Sequence, residues 1–128
     1  MANIYISLGT NINREFHVTQ GLKALAEIFE LKFEQLILSS LFESDAIGFS
    51  GKSFYNMVIG LTTQCSVEEV ALKLRAVEIK YGRTPQAKKF SPRTLDLDLL
   101  LYDDLIIVSF LSALKIIRNA LVQEDSSI

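Results

Sequence analysis

The chain has 128 residues, 49% apolar and 22% charged, with a formal net charge of −2 and a single cysteine, Cys65. That composition describes one domain with enough apolar surface for a core, and it excludes a disordered polyelectrolyte and an internal disulfide. It gives no global signal for nucleic acid, and no run approaches the roughly 18 apolar residues a membrane span needs.

The start, MANIYISLG, lacks the basic stretch and long apolar run of a secretory signal, so a reducing, cytoplasmic setting is the expectation. Residues 3–8 are short, apolar and rich in β-formers, and read as a buried strand. Gly9, Thr10 and Asn11 punctuate it. Asn13 then stands where it can cap a helix from Arg14, with Val18, Leu22, Leu25 and Phe29 as its apolar stripe. Residues 32–42 alternate at first and become apolar, as expected of a second strand. Residues 44–53 hold Gly48 and Gly51 among small polar residues and read as a mobile loop. Residues 54–63 are β-branched and aromatic, a third strand.

Ser66 and Glu69 form a capping box ahead of Val67, Val70, Leu74, Val77 and Tyr81, and Gly82 suits the left-handed position that ends such a helix. After a basic loop, residues 94–102 read as a fourth strand. Residues 105–108 offer an extra strand, 110–122 have loose helical spacing, and 124–128 read as a frayed tail. The order βαββαβ predicts an α+β, ferredoxin-like sandwich, an antiparallel sheet with its helices on one face. No repeat or linker divides it, so residues 1–128 read as a single domain.

The chemistry concentrates in Phe90-Ser91-Pro92-Arg93-Thr94-Leu95-Asp96-Leu97-Asp98. Side chains alternate along a strand, so Asp96 and Asp98 share one face while Leu95, Leu97 and Leu99 take the other. Two carboxylates about 7 Å apart along a strand repel one another unless positive charge lies between them. A hard cation such as Mg²⁺, with phosphate oxygens and water completing its shell, resolves that repulsion; the alternative is a solvated face with two surface acids. Just upstream, Lys80, Arg83, Lys88, Lys89 and Arg93 form a run without acids. Alone it reads as a solvated loop, but beside the acids it supplies guanidinium forks for phosphate. No Walker-type or G-x-G-x-x-G glycine loop is present.

Three blocks together resemble the 6-hydroxymethyl-7,8-dihydropterin pyrophosphokinase family. They are the opening Tyr5-Ile6-Ser7-Leu8-Gly9-Thr10-Asn11-Ile12; residues 39–63 with Ile47-Gly48 and Phe54-Tyr55-Asn56; and the span from Glu78 through Tyr81-Gly82-Arg83 to Pro92-Arg93-Thr94-Leu95-Asp96-Leu97-Asp98. The resemblance covers residues 3–107. It implies transfer of pyrophosphate from ATP to 6-hydroxymethyl-7,8-dihydropterin, yielding AMP and the pterin diphosphate for folate biosynthesis, with Mg²⁺ as cofactor. It implies Asp96 and Asp98 as the Mg²⁺ ligands, and Arg83 and Arg93 as triphosphate-holding arginines that complete the catalytic set. Arg75, Glu78, Lys88 and Leu99 join those arginines at ATP. Ser44, Asp45, Ile47, Phe54, Asn56, Phe90 and Asp96 line the pterin slot.

The chain departs from the family pattern at several positions. Phe90 stands where tryptophan is common, Asp45 where proline is frequent, and Pro85 where an arginine is common. Residues 108–128 contain no proline or histidine, so this segment reads as divergent where the family completes both sites. Phe54 also fits plain core and Glu78 an ordinary helix-surface acid. His17 reads as surface, and Cys65 as packing. A non-catalytic pterin- or nucleotide-binding paralogue and a ferredoxin-like interaction domain stay open as other functions. RNA binding would need stacking aromatics in the RNP pattern, which is absent. A monomer and a homodimer are both compatible with the sequence.

Overall fold

The computed structural model describes residues 1–44, 53–82 and 94–107. In chain order these form β1 (Ala2–Thr10), α1 (Arg14–Ile28), a 3₁₀ turn (Phe33–Gln35), β2 (Ile37–Leu38), β3 (Phe42–Ser44), β4 (Phe54–Thr63), α2 (Val67–Lys80), β5 (Asp96–Tyr102) and β6 (Leu105–Ile106). The sheet runs β2-β4-β1-β5-β6, with β3 also paired to β4, and every pairing is antiparallel. This is the α+β, ferredoxin-like arrangement expected from the element order.

Period-two alternation decides which face the helices cover. Ile4, Ile6 and Leu8 of β1, Met57, Ile59 and Leu61 of β4, and Leu97 and Leu99 of β5 pack with Leu22 and Leu25 of α1 and Val70, Leu74 and Val77 of α2. Burying each such side chain contributes roughly 1.5–3 kcal/mol, so this layer is the main source of stability. The other face carries a smaller cluster of Phe42, Val58 and Leu100, with Leu101 packed against it. No helix among the described residues is long and apolar enough to cross a membrane.

Local signals at α2 match expectation. Ser66 Oγ accepts from Glu69 N at 3.2 Å and Ser66 N donates to Glu69 Oε1 at 3.0 Å, the reciprocal capping box. Gly82 ends the helix with φ +102°, a value that disfavours any side chain.

Four expectations need correction. First, β1 continues through Gly9 to Thr10, because both residues stay paired with β4. Second, Asn13 makes no side-chain cap; it sits at φ 44°, a left-handed conformation that asparagine tolerates. Third, the stretch expected as one second strand breaks into the 3₁₀ turn, β2 and β3. The Gln35 side chain accepts from Lys32 N at 2.8 Å, and Ser39 Oγ accepts from Val58 N at 2.8 Å. Those side chains compete with a continuous ladder, as short polar residues do. Fourth, His17 is buried, not superficial. Its Nδ1 lies 2.5 Å from the Ile12 carbonyl oxygen, and its ring meets Tyr81 edge-on.

Past β5, Asp103 adopts φ 50° and latches the turn to the start of β1, accepting from Asn3 N through Oδ1 at 2.7 Å. The extra strand expected after Asp104 is β6, shorter than residues 105–108. The helical spacing at 110–122 and the tail at 124–128 lie outside the described residues.

Candidate active site

The sheet register assembles the polar face. Gly9 pairs with Asn56 on one side and with Asp96 on the other. The next row down that faces the same way is Val58, Ser7 and Asp98. Three strands separated in sequence therefore set an amide, a bare backbone position and a carboxylate side by side. Two strand spacings put Asn56 and Asp96 roughly 10 Å apart, with a glycine on the strand between them. Leu97 and Leu99 are buried in the core opposite, while Asp96 is half-buried and Asp98 exposed, so the acids share a face as their spacing predicts.

Gly9 is what keeps the row open. A Cβ there would lie 3.3 Å from Asn56 Oδ1 and 3.7 Å from Phe54 Cδ1. The Asn56 amide is oriented by its own donors, with Nδ2 giving hydrogen bonds to Ser44 Oγ at 2.8 Å and to the Phe54 carbonyl at 3.3 Å. Its oxygen is thereby turned toward Gly9. A half-buried amide held in this way is poised to read the polar edge of a flat ring lying over Gly9. Phe54 is half-buried at the rim of the same slot rather than plain core.

Glu78 also differs from the surface-acid alternative. It is 3% exposed, and its Oε2 accepts from Leu97 N at 2.9 Å. That bond ties α2 to the backbone between Asp96 and Asp98. Between α2 and β5 lies a cleft of about 280 Å³, lined in part by Arg75, Glu78, Leu97, Asp98 and Leu99. Three positions expected at ATP, Arg75, Glu78 and Leu99, thus gather at one cleft that reaches an acid expected at the metal. Gly82 and Thr94 flank the basic segment and lie close together, the Thr94 hydroxyl donating to the Tyr81 carbonyl. Arg83, Lys88, Phe90 and Arg93, like Asp45 and Ile47, lie outside the described residues.

Among the described residues no group of three or more His, Cys, Asp or Glu side chains gathers as a closed metal cage. Two acids on one open face fit Mg²⁺ better, since it takes one or two carboxylates and leaves its other positions to phosphate and water.

A second concavity, about 470 Å³, lies at the far end of the molecule against Phe29, Thr63, Cys65, Glu69 and Lys73. Its groups are spent on structure: Lys73 Nζ donates to the Ile28 carbonyl at the end of α1, and Glu69 serves the α2 cap. The hydrogen bond from the Ser66 backbone, then that from its hydroxyl, holds the Glu69 carboxyl below the usual range, with Lys73 adding attraction. Cys65 is half-buried beside the core, as packing requires.

Sequence reasoning missed Gly9 as a site residue, taking it for punctuation. The signal was a glycine continuing an alternating strand, which marks close approach of another group.

Fold and site define a class: an α+β domain of ferredoxin-like topology, with a polar row on the sheet face away from the two helices and a cleft at the edge of β5. Comparison with known proteins narrows this. The profile described as "7,8-dihydro-6-hydroxymethylpterin-pyrophosphokinase (HPPK)" matches residues 5–124, and the chain belongs to that family. The match extends to residue 124, into the segment expected to be divergent. The chain is 34% identical over 84% of its length to a 2-amino-4-hydroxy-6-hydroxymethyldihydropteridine pyrophosphokinase of Aquifex aeolicus, covering 65% of that protein. It is 33% identical over 80% of its length to the protein of the same name from Bacillus subtilis, covering 62% of it. A folate synthesis bifunctional protein of Chlamydia caviae is 34% identical over 79% of the chain, which covers 24% of that relative. The chain therefore spans less than two thirds of the length of these relatives.

Proposed function

We propose that this protein transfers the terminal pyrophosphate of ATP to 6-hydroxymethyl-7,8-dihydropterin, giving AMP and the pterin diphosphate for folate biosynthesis. One observation carries the reading: the row Asn56–Gly9–Asp96, with Asp98 one step along and the Arg75–Glu78–Leu99 cleft beside it. A flat heterocycle over Gly9 donates a ring or amino N–H to Asn56 Oδ1 and presents its hydroxymethyl group toward the acids. ATP in the cleft brings its phosphates to the same place.

In the proposed step the hydroxymethyl oxygen bonds to the β-phosphorus while the bond from that phosphorus to the α,β-bridging oxygen breaks. AMP leaves with that oxygen, and the hydroxyl proton passes to solvent. Such transfers depend on positioning and charge stabilisation more than on covalent help from the protein. Asp96 and Asp98 hold the cation, Asp96 also bordering the pterin. Mg²⁺, when bound, neutralises charge on the phosphate oxygens. Arg83 and Arg93 grip the phosphates, with Lys88 beside them, while Ser44, Asp45, Ile47, Phe54 and Phe90 enclose the pterin. We take the enzyme to be cytoplasmic, built as a single domain and acting as a monomer or homodimer.

A second reading has its own observation: residues 108–128 lack proline and histidine, so a non-catalytic pterin- or nucleotide-binding paralogue is the alternative. Incubation with Mg²⁺, ATP and 6-hydroxymethyl-7,8-dihydropterin separates the two. AMP formed in step with pterin diphosphate supports the enzyme. Pterin binding without AMP supports the paralogue, and uptake of neither ligand contradicts both.

A further inference from the structure

We infer that Arg14 is a positioning residue for the pterin side of the site, setting the β3–β4 pair to which Asn56 and Phe54 belong; this rests on the function proposed above. Arg14 opens α1, and at that place a long basic side chain has no helical reason to be ordered, since positive charge is unfavourable near a helix N-terminus. Yet its guanidinium is held through Nη1 and over an aromatic ring. Nη1 donates to the Ser53 carbonyl at 3.2 Å and to Ser53 Oγ at 3.0 Å, with Glu43 Oε2 at 3.5 Å. Its Cζ lies 4.1 Å from the centre of the Tyr55 ring. Ser53 Oγ in turn donates to Glu43 Oε2 at 2.6 Å.

These partners occupy defined register positions. Glu43 pairs with Tyr55, and the neighbouring pairs are Phe42 with Asn56 and Ser44 with Phe54. Arg14 therefore clamps one rung of a three-rung ladder whose adjacent rungs carry Asn56 and Phe54. The Ser44 hydroxyl that orients the Asn56 amide sits one residue beyond Glu43. A three-residue strand with one neighbour is weakly held by itself. A planar guanidinium that lies over the Tyr55 ring while its Nη1 reaches Ser53 and Glu43 supplies the missing constraint, and an ammonium has no plane to stack there. Loss of the clamp loosens the frame on which the pterin rests, while the α2–β5 cleft assigned to ATP lies across the sheet and is untouched.

The test compares the parent with Arg14→Ala and Arg14→Lys in steady-state AMP formation and in amide hydrogen exchange of residues 42–44 and 53–56. For Arg14→Ala we expect the KM for 6-hydroxymethyl-7,8-dihydropterin to rise roughly tenfold while the KM for ATP stays within about twofold, the scale of a misplaced binding group. Exchange in the two segments should quicken, and Arg14→Lys should fall between. Glu43→Gln, which keeps the chain's other contacts, should give a smaller change in the same direction and serves if Arg14→Ala does not fold. An active parent whose variants keep its pterin KM overturns this inference alone. So does an equal rise in both KM values together with a lower Tm, since that marks general damage. A parent that forms no AMP and binds no pterin beside Mg²⁺ and α,β-methylene-ATP overturns the function and this inference together.

Discussion

The two faces of the sheet are made by the same strands and differ at every second residue. Toward the helices, β1, β4 and β5 present Ile6, Leu8, Met57, Ile59, Leu97 and Leu99. Away from them the same strands present Ser7, Gly9, Asn56, Asp96 and Asp98. Parity along a strand therefore separates the core from the row of amide and acids, although Leu97 and Leu99 also border the α2–β5 cleft. Neighbours one position apart should fail in opposite ways when altered.

Asp98→Ala and Leu97→Ala test this most severely, being adjacent on β5. Asp98→Ala should lose roughly 10²-fold or more in kcat, the scale of a lost preorganised charge contact, with Tm almost unchanged. Leu97→Ala should cost about 2–5 kcal/mol of stability in urea unfolding, and at saturating ATP its remaining folded fraction should keep much of its turnover, since Leu97 also borders the α2–β5 cleft. Equal effects on both quantities from both variants would break the comparison. Gly9→Ala sharpens it further. The added methyl falls 3.3 Å from Asn56 Oδ1, so the pterin KM should rise by roughly tenfold with little change in Tm or in the KM for ATP.

Away from both faces the effects should be smaller. Ser66→Ala removes the cap of α2 and should cost about 1 kcal/mol in chemical unfolding without altering either KM. The smallest effect is the pH dependence of Glu69. Its carboxyl is held low in the folded chain by the Ser66 backbone, then the Ser66 hydroxyl, then Lys73. The ionised group therefore stabilises the fold above the ordinary carboxylate range, and that stability is lost as pH falls through the lowered folded value. A Tm-versus-pH series should show the parent losing slightly more than Glu69→Gln on acidification, with the two curves converging below that range.

Much of this was legible in the sequence because it is local. Alternation fixed which of Leu95 to Asp98 go inside, and the Ser66–Glu69 spacing announced the start of α2. What escaped reading depends on partners distant in the chain. Gly9 acquires meaning only when β1 lies between β4 and β5, which sets Asn56 and Asp96 on either side of it. His17 is buried because the end of α2 brings Tyr81 against it, and Arg14 matters because Tyr55 of β4 and Ser53 just before that strand reach it. Ser39 turned out to replace a rung of the ladder with its hydroxyl, so an apparently continuous second strand came apart. Side-chain competition with the backbone is weakly encoded in composition, and tertiary pairing is not encoded in any short window.

Amide chemical shifts of the labelled protein provide the most direct check, with the unreactive 6-hydroxymethylpterin titrated in beside Mg²⁺ and α,β-methylene-ATP. The expected result is a large pterin-dependent shift at Gly9, Asn56 and Asp96, and none at Thr63, Cys65 and Lys73 around the far concavity. Shifts confined to the far concavity, or absent from the Gly9 row at saturating pterin, would contradict a pterin slot on the sheet face away from the two helices.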